Sequence, residues 1–257
     1  MLKREVCWNI TTKCNQNCKY CHRFLGINDL CYEENEKILE NLIQDGITDI
    51  TWTGGEALLY PNIMGLLKKA KENGINNKLI TNGLLLAQNN EMKEICNYLD
   101  TLTLSIDSTN SEVNAELGRG INHYNNIKTI LEYVKDKELK LNINTVVSKK
   151  NIDQLDELGN FLNSYKINSW RIFQFMPLRE TAEKNRQQFE ITDAEFENKK
   201  SVFEKFENIG NVDYRQEKDM EDKYVLLVAN GDIVKTENGK DVKKGNALYQ
   251  NLMDFME

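Results

Sequence analysis

At 257 residues, with 40% hydrophobic and 28% charged residues, the chain has the length and composition of an ordinary soluble globular protein with a full-sized core. Its net charge of −7 disfavours a broad nucleic-acid-binding face, which needs clustered Lys and Arg, but leaves room for a small anionic ligand in a local pocket. No apolar run approaches the roughly 20 residues that cross a bilayer, and the opening MLKREVCWNI lacks the apolar stretch of a signal peptide, so a cytoplasmic protein without a membrane partner is expected.

Short β-branched runs alternate with longer stretches of helical period. Residues 6–10 read as a first strand, and 34–44 as a helix with Ile38, Leu39, Leu42 and Ile43 on its apolar face. A second strand at 49–53 precedes a helix near 63–72. Strands recur at 78–81, 102–106, 141–147 and 170–175, with helical stretches near 91–99, 124–135 and 152–164 between them. Polar residues at 181–188 and 215–223 read as mobile loops. Segments 224–228 and 232–236 flank Ala229-Asn230-Gly231, the turn signal of a hairpin.

Strand–helix alternation argues for an α/β fold with a parallel sheet and helices packed outside it. About six units are present, fewer than a closed barrel needs. The expected architecture is therefore a partial (β/α)6 open TIM-like barrel over 1–210, with a short C-terminal extension, 211–257, packing on the same domain.

The six cysteines all lie in the first 96 residues. Cys7, Cys31 and Cys96 read as ordinary buried or half-buried thiols. Cys14, Cys18 and Cys21 form a CxxxCxxC run just after the first strand, and such tight spacing in a reducing compartment points to metal rather than disulfides. Three thiolates can hold three irons of a cubane and leave the fourth open for chemistry. Zinc in a structural, non-enzymatic site is the alternative. It wants a fourth Cys or His at a matching spacing; His22 is adjacent to Cys21, and no second CxxC exists.

With Tyr20 before the third cysteine and Gly54-Gly55-Glu56 ending the second strand, the chain resembles the radical S-adenosylmethionine (SAM) superfamily. The resemblance implies a [4Fe–4S] cluster on Cys14, Cys18 and Cys21, and reductive cleavage of SAM to a 5′-deoxyadenosyl radical that abstracts hydrogen from a small molecule. It also implies an electron donor such as flavodoxin or ferredoxin. Gly54, Gly55 and Glu56 would face the SAM ammonium. Asn82, Ser105 and Asp107 at later strand ends, Arg119 toward the SAM carboxylate and Asn144 toward the ribose complete the expected cofactor set.

The absence of cysteine after Cys96 argues against a second cluster. Along most of its length the chain is similar to the viperin-like enzymes, which dehydrate CTP or related nucleoside triphosphates, so a nucleotide or nucleoside substrate is expected. Ser105–Ser108, Glu112-Val113-Asn114 and Gly118-Arg119-Gly120 carry that resemblance. Where viperins place cations for the triphosphate, this chain has Asp49, Asn142 and Ser169, with only Arg171 basic. Arg23, Arg171 and Arg179 remain for an anionic group, with Phe175 and Tyr214 as packing partners. A peptide or protein modifier, such as a maturase or glycyl-radical activating enzyme, is the competing enzyme reading.

Overall fold

The computed structural model describes residues 4–200, 206–216, 219, 225–237 and 240–255. Most of the expected 215–223 loop, and Tyr224, lie outside these. The described strands are β1 (Glu5–Thr11), β2 (Asp49–Gly54), β3 (Asn76–Thr81), β4 (Thr101–Ser105), β5 (Lys140–Val147), β6 (Ser169–Gln174), β7 (Val212–Arg215), β8 (Val225–Leu227), β9 (Asp232–Glu237) and β10 (Lys240–Asn246). They form one open sheet in the order β10-β9-β8-β1-β2-β3-β4-β5-β6-β7. Neighbours from β1 to β7 are parallel, and β8 adds in parallel to the free side of β1. β9 and β10 then run antiparallel.

The described α-helices are α1 (Tyr32–Gln44), α2 (Ile63–Glu72), α3 (Leu84–Gln88), α4 (Ser111–Leu117), α5 (His123–Val134), α6 (Leu155–Leu162), α7 (Arg179–Lys184), α8 (Arg186–Phe189) and α9 (Asp193–Glu197). Period-2 alternation in the strands and period-3.6 alternation in the helices build one core. Val6, Trp8, Ile10, Ile50, Trp52, Leu79, Leu102, Leu104, Ile143, Trp170 and Ile172 point to the same sheet face and pack against Ile38, Leu39, Leu42, Leu66, Leu67, Ile127, Ile130, Leu131 and Leu158 of the helices. Trp8 and Trp52 stack with ring centroids 5.1 Å apart. Among the described residues no helix is long and apolar enough to cross a membrane.

Three departures from the sequence reading have physical causes. The expected helix near 91–99 is a 3-10 helix, Met92–Tyr98, with bonds such as Lys93 N to Asn90 O at 3.1 Å. The polar stretch at 181–188 is not a loop but α7 and α8, because Ala182 and Phe189 bury against Tyr20, Leu117 and Phe175. A seventh parallel strand, β7, continues the sheet past residue 210, and β10 turns the expected hairpin into a three-stranded end.

Candidate functional site

The three cysteines of the CxxxCxxC run sit on the long loop from β1 to α1, at the carboxyl ends of the parallel strands. The loop begins where Asp29 accepts hydrogen bonds from Thr11 Oγ1 at 2.5 Å and Thr12 N at 2.9 Å. It is then tied to the end of α4, where Asn17 N and Lys19 N donate to Gly118 O and Leu117 O at 3.2 and 3.0 Å. Gly118 has φ +85°, and a Cβ there would meet Asn17 O at 2.1 Å, so this approach requires glycine.

Gly54 and Gly55 serve the same loop from the other side. Gly55 N donates to Thr11 O and Glu56 N to Lys13 O, both at 2.8 Å, and a Cβ on Gly55 would lie 2.2 Å from Lys13 O. Their backbone is thus committed to bracing the cysteine loop. Glu56 was expected to face the ligand with its carboxylate. It lines the cavity but accepts from Thr81 Oγ1 (2.8 Å), Asn82 N (2.8 Å) and Leu58 N (3.3 Å), pinning β2 to β3. Burial raises its pKa against the pull of those three donors.

A cavity of about 380 Å³ opens beside the loop. Cys14, Cys18, Cys21, Tyr20, Gly54, Gly55, Glu56, Asn82, Ser105, Arg119 and Asn144 all line it, as do Arg23 and Arg179; Asp107 and Arg171 do not. None of the cysteines is in a disulfide. Burial pushes the Cys18 thiol up to about 11, against the lowering effect of the nearby Arg119 cation. Among the described residues no three His, Cys, Asp or Glu side chains converge on a single metal ion.

Asn82 holds the first cysteine: its Nδ2 donates to Asn15 Oδ1 at 2.8 Å and reaches Cys14 Sγ at 3.9 Å. The second is held by a relay the sequence did not reveal. Gln16 Oε1 accepts from Cys18 Sγ (3.7 Å) and Arg119 Nη1 (3.3 Å), while Gln16 Nε2 lies 3.2 Å from His123 Nδ1. His123 Nε2 donates to Ser105 O at 2.8 Å, which makes Nδ1 the acceptor and the ring neutral. Burial, with Arg119 adding to it, lowers the pKa of His123 to about 4.

Asp107 is buried and already partnered, by Arg119 Nε (2.7 Å), Val146 N (2.8 Å) and the Tyr20 hydroxyl. It therefore orients Arg119 and Tyr20 instead of facing a ligand. Arg179, expected at an anionic substrate, is engaged likewise. It makes a bidentate pair with Asp241 of β10 at 2.8 and 2.9 Å, donates to His22 O at 2.6 Å and stacks over Phe24 at 4.0 Å. Phe175 is buried under Tyr20 and Phe189, and Tyr214 donates to Lys200 O, so neither joins the cavity.

Arg23 and Arg171 have no side-chain hydrogen bond or ion pair among the described residues, and of these two only Arg23 lines the cavity. Asp49, where the resemblance implied a cation, pairs with Lys78 at 2.8 Å; Lys78 also pairs with Glu5 at 2.9 Å. Cys7 and Gln16 are among the cavity-wall groups missed from sequence. Cys7 faces the cavity because β1 alternates, turning it away from buried Val6 and Trp8. Asn144 Oδ1, on the cavity wall, is buried and unpartnered; Gln174, at the end of β6, turns its side chain to the helix side, where Nε2 donates to Ile191 O and Asp193 Oδ1. The alternation was legible, but which face would be hollow was not.

Residues 8–162 match the Radical SAM superfamily. The chain is 35% identical over 208 residues to an S-adenosylmethionine-dependent nucleotide dehydratase of Flammeovirga pacifica, covering 75% of this chain and 69% of that protein. It is 31% identical over 211 residues to one of Lacinutrix mariniflava, covering 76% and 43%. It is 30% identical over 204 residues to a GTP 3′,8-cyclase of Limosilactobacillus fermentum, covering 74% and 59%. The chain thus spans between 43% and 69% of the length of these curated relatives. Its fold matches Streptococcus suis SuiB bound to S-adenosylmethionine, with a TM-score of 0.73 at 21% identity over 99% of this chain and 66% of that one. It also matches anSMEcpe with bound AdoMet and a peptide, with a TM-score of 0.74 at 15% identity over 99% and 80%. With its cysteine loop braced by Gly54-Gly55 over a cavity at the strand ends, the chain belongs to the radical SAM superfamily of enzymes.

Proposed function

We propose that this chain holds a [4Fe–4S] cluster on Cys14, Cys18 and Cys21, binds SAM along the neighbouring strand ends, and acts on a nucleotide or nucleoside. The observation that carries the reading is the set of three unpaired thiols around one cavity. They line it together on one loop; three thiolates can hold three irons of a cubane, whereas a structural zinc wants a fourth Cys or His. The orphaned Asn144 Oδ1 on the cavity wall fits a ligand that brings a hydrogen-bond donor, such as a ribose hydroxyl.

When bound, the cluster and SAM supply a 5′-deoxyadenosyl radical, given one electron from a low-potential donor of the flavodoxin or ferredoxin class. The protein's own part is to fix geometry and keep water out. Asn82 orients Cys14 through a hydrogen bond to sulfur, and Gln16 braces the same loop through Arg119 and His123. Arg119, locked by Asp107, presents its remaining guanidinium edge to the cavity, where it can meet a carboxylate. Among the described residues Arg23 is a cavity cation without a side-chain hydrogen bond or ion pair, available to an anionic substrate group. The names of the relatives support a nucleotide; the core over 1–210 with its extension 211–257 would work as one cytoplasmic unit.

Anaerobic reconstitution tests this. The wild type should bind about four irons, change the EPR signal of its reduced cluster on adding SAM, and release 5′-deoxyadenosine faster with one of CTP, UTP, GTP or their nucleosides than without. Cys14→Ala should lose cluster absorbance and the product together. An EPR signal indifferent to SAM sinks the open-iron reading, and equal rates with and without every nucleotide and nucleoside sink the substrate class.

A further inference from the structure

The chain is acidic, with 40 Asp and Glu against 33 Lys and Arg, but its carboxylates are unevenly placed. Residues 11–28, 81–90 and 117–131 contain no Asp or Glu. Folding brings these three stretches together. Asn17 N and Lys19 N donate to Gly118 O and Leu117 O, and Asn82 Nδ2 donates to Asn15 Oδ1 at 2.8 Å. They form one outer face around the cysteine loop, with Lys13, Asn17, Lys19, Ile121 and Asn122 exposed on it.

Carboxylates on its borders are engaged. Asp29, with a side chain 11% exposed, holds Thr11 and Thr12 and lies 4.0 Å from Lys13, whose own side chain is 69% exposed. Glu116 pairs with Lys150 at 3.0 Å. Ile121 is 59% exposed, an apolar group left in water among polar neighbours. The same face is a short way to the cysteines. Cys18 lines the cavity yet stands between exposed Asn17 and Lys19, and a Cβ on Gly118 would lie 3.1 Å from Cys18 Cα.

We infer that this face is the docking surface for an acidic one-electron donor protein. The inference rests on the proposed function, which requires such an electron. Charges act over about 8 Å at physiological ionic strength, so a docking partner meets the local lysines before the chain's net −7. The excess carboxylates over the rest of the chain repel an acidic partner. Lys13 and Lys19 attract it, which sets its orientation and association rate. Ile121 gives the apolar centre and the lysines the charged rim that interfaces combine. Once docked, the donor is oxidised by one electron and the group held on Cys14, Cys18 and Cys21 is reduced by one, with no bond made or broken.

The test uses reconstituted protein and flavodoxin as the acidic donor. Two variants alter the face: Lys13→Glu with Lys19→Glu, and Ile121→Asp. Lys37→Glu with Lys68→Glu, at exposed positions of α1 and α2, matches the charge change of the first elsewhere. By calorimetry, the Kd for oxidised flavodoxin should rise at least about tenfold in both face variants and stay within about twofold in the control. Bleaching of the cluster absorbance by reduced flavodoxin should slow in the same order, whereas dithionite should bleach every variant. If dithionite bleaches nothing in the wild type, the proposed function falls and the docking surface with it. Three other results leave the cluster standing and overturn the docking surface alone. They are a dithionite-reducible wild type that flavodoxin neither binds nor reduces, an unchanged Kd in either face variant, and an equal loss in the control.

Discussion

The two faces of the parallel sheet obey different rules. On the helix-covered face, register lines up Trp8, Trp52, Leu79, Leu102 and Leu141 across five strands. The opposite face lines up Thr51, Lys78, Thr101 and Lys140 in one row, and Ser105, Asn144 and Arg171 in another. A closed barrel fills its interior with branched apolar side chains. This sheet instead leaves polar groups there, some paired, as Lys78 is with Glu5 and Asp49, and some orphaned, as Asn144 Oδ1 is. Stability is concentrated on one face, and the capacity to bind on the other.

The sharpest way to break that comparison is a neighbouring pair of substitutions on β2. Trp52→Ala should cost about 3–5 kcal/mol, through lost burial and the cavity left beside Trp8. Thr51→Ala, one residue away on the other face, should cost about 1 kcal/mol for its hydrogen bond to Glu5. Urea unfolding measures both, and equal costs would erase the distinction between the faces.

His123 joins the two regions, since α5 carries it and its ring reaches the cysteine loop through Gln16. Its pKa falls from 6.5 to about 4 on folding, so the unfolded chain binds more protons between those values. Stability from this residue is complete above about pH 6.5 and is lost as the pH falls toward about 4, by about 3 kcal/mol. His22, also lowered to about 4 by burial, acts in the same direction. The urea midpoint should therefore drop across this window, and less steeply in His123→Gln; parallel slopes would remove His123 as the cause.

The smallest effect concerns Arg179 and Asp241, which tie the cysteine loop to β10. Their side chains are 16% and 25% exposed, so a double-mutant cycle with alanine should give a coupling of about 1 kcal/mol or less. A much larger coupling would make this rim contact part of the stabilising core.

Much of this was legible in one dimension. Strand limits matched to within a residue or two, because β-branched runs and alternation report burial directly. The CxxxCxxC run and Gly54-Gly55-Glu56 were readable because each is contiguous and each residue type has a narrow chemical use. The failures also have a pattern. The stretch at 181–188 looked like loop because Phe189 finds its apolar partners in Tyr20 and Phe175, far away in sequence. The partners of Glu56, Asp107 and Arg179, namely Thr81, Arg119 and Asp241, were not legible either, because they come from other elements; Glu56 and Arg179 still line the cavity.

By itself, then, the sequence determined the alternation of elements, the cysteine loop and the glycines that brace it, since these depend on local spacing and side-chain chemistry. Tertiary structure alone decided which polar groups are spent on one another and which remain free in the cavity. It bound Asp107 to Arg119 and left Asn144 Oδ1 without a partner on the cavity wall. It also made Cys7, which reads from sequence as an ordinary thiol, part of the cavity wall. Hydrogen-bond satisfaction is a property of atoms brought together across strands, and spacing along one strand does not encode it.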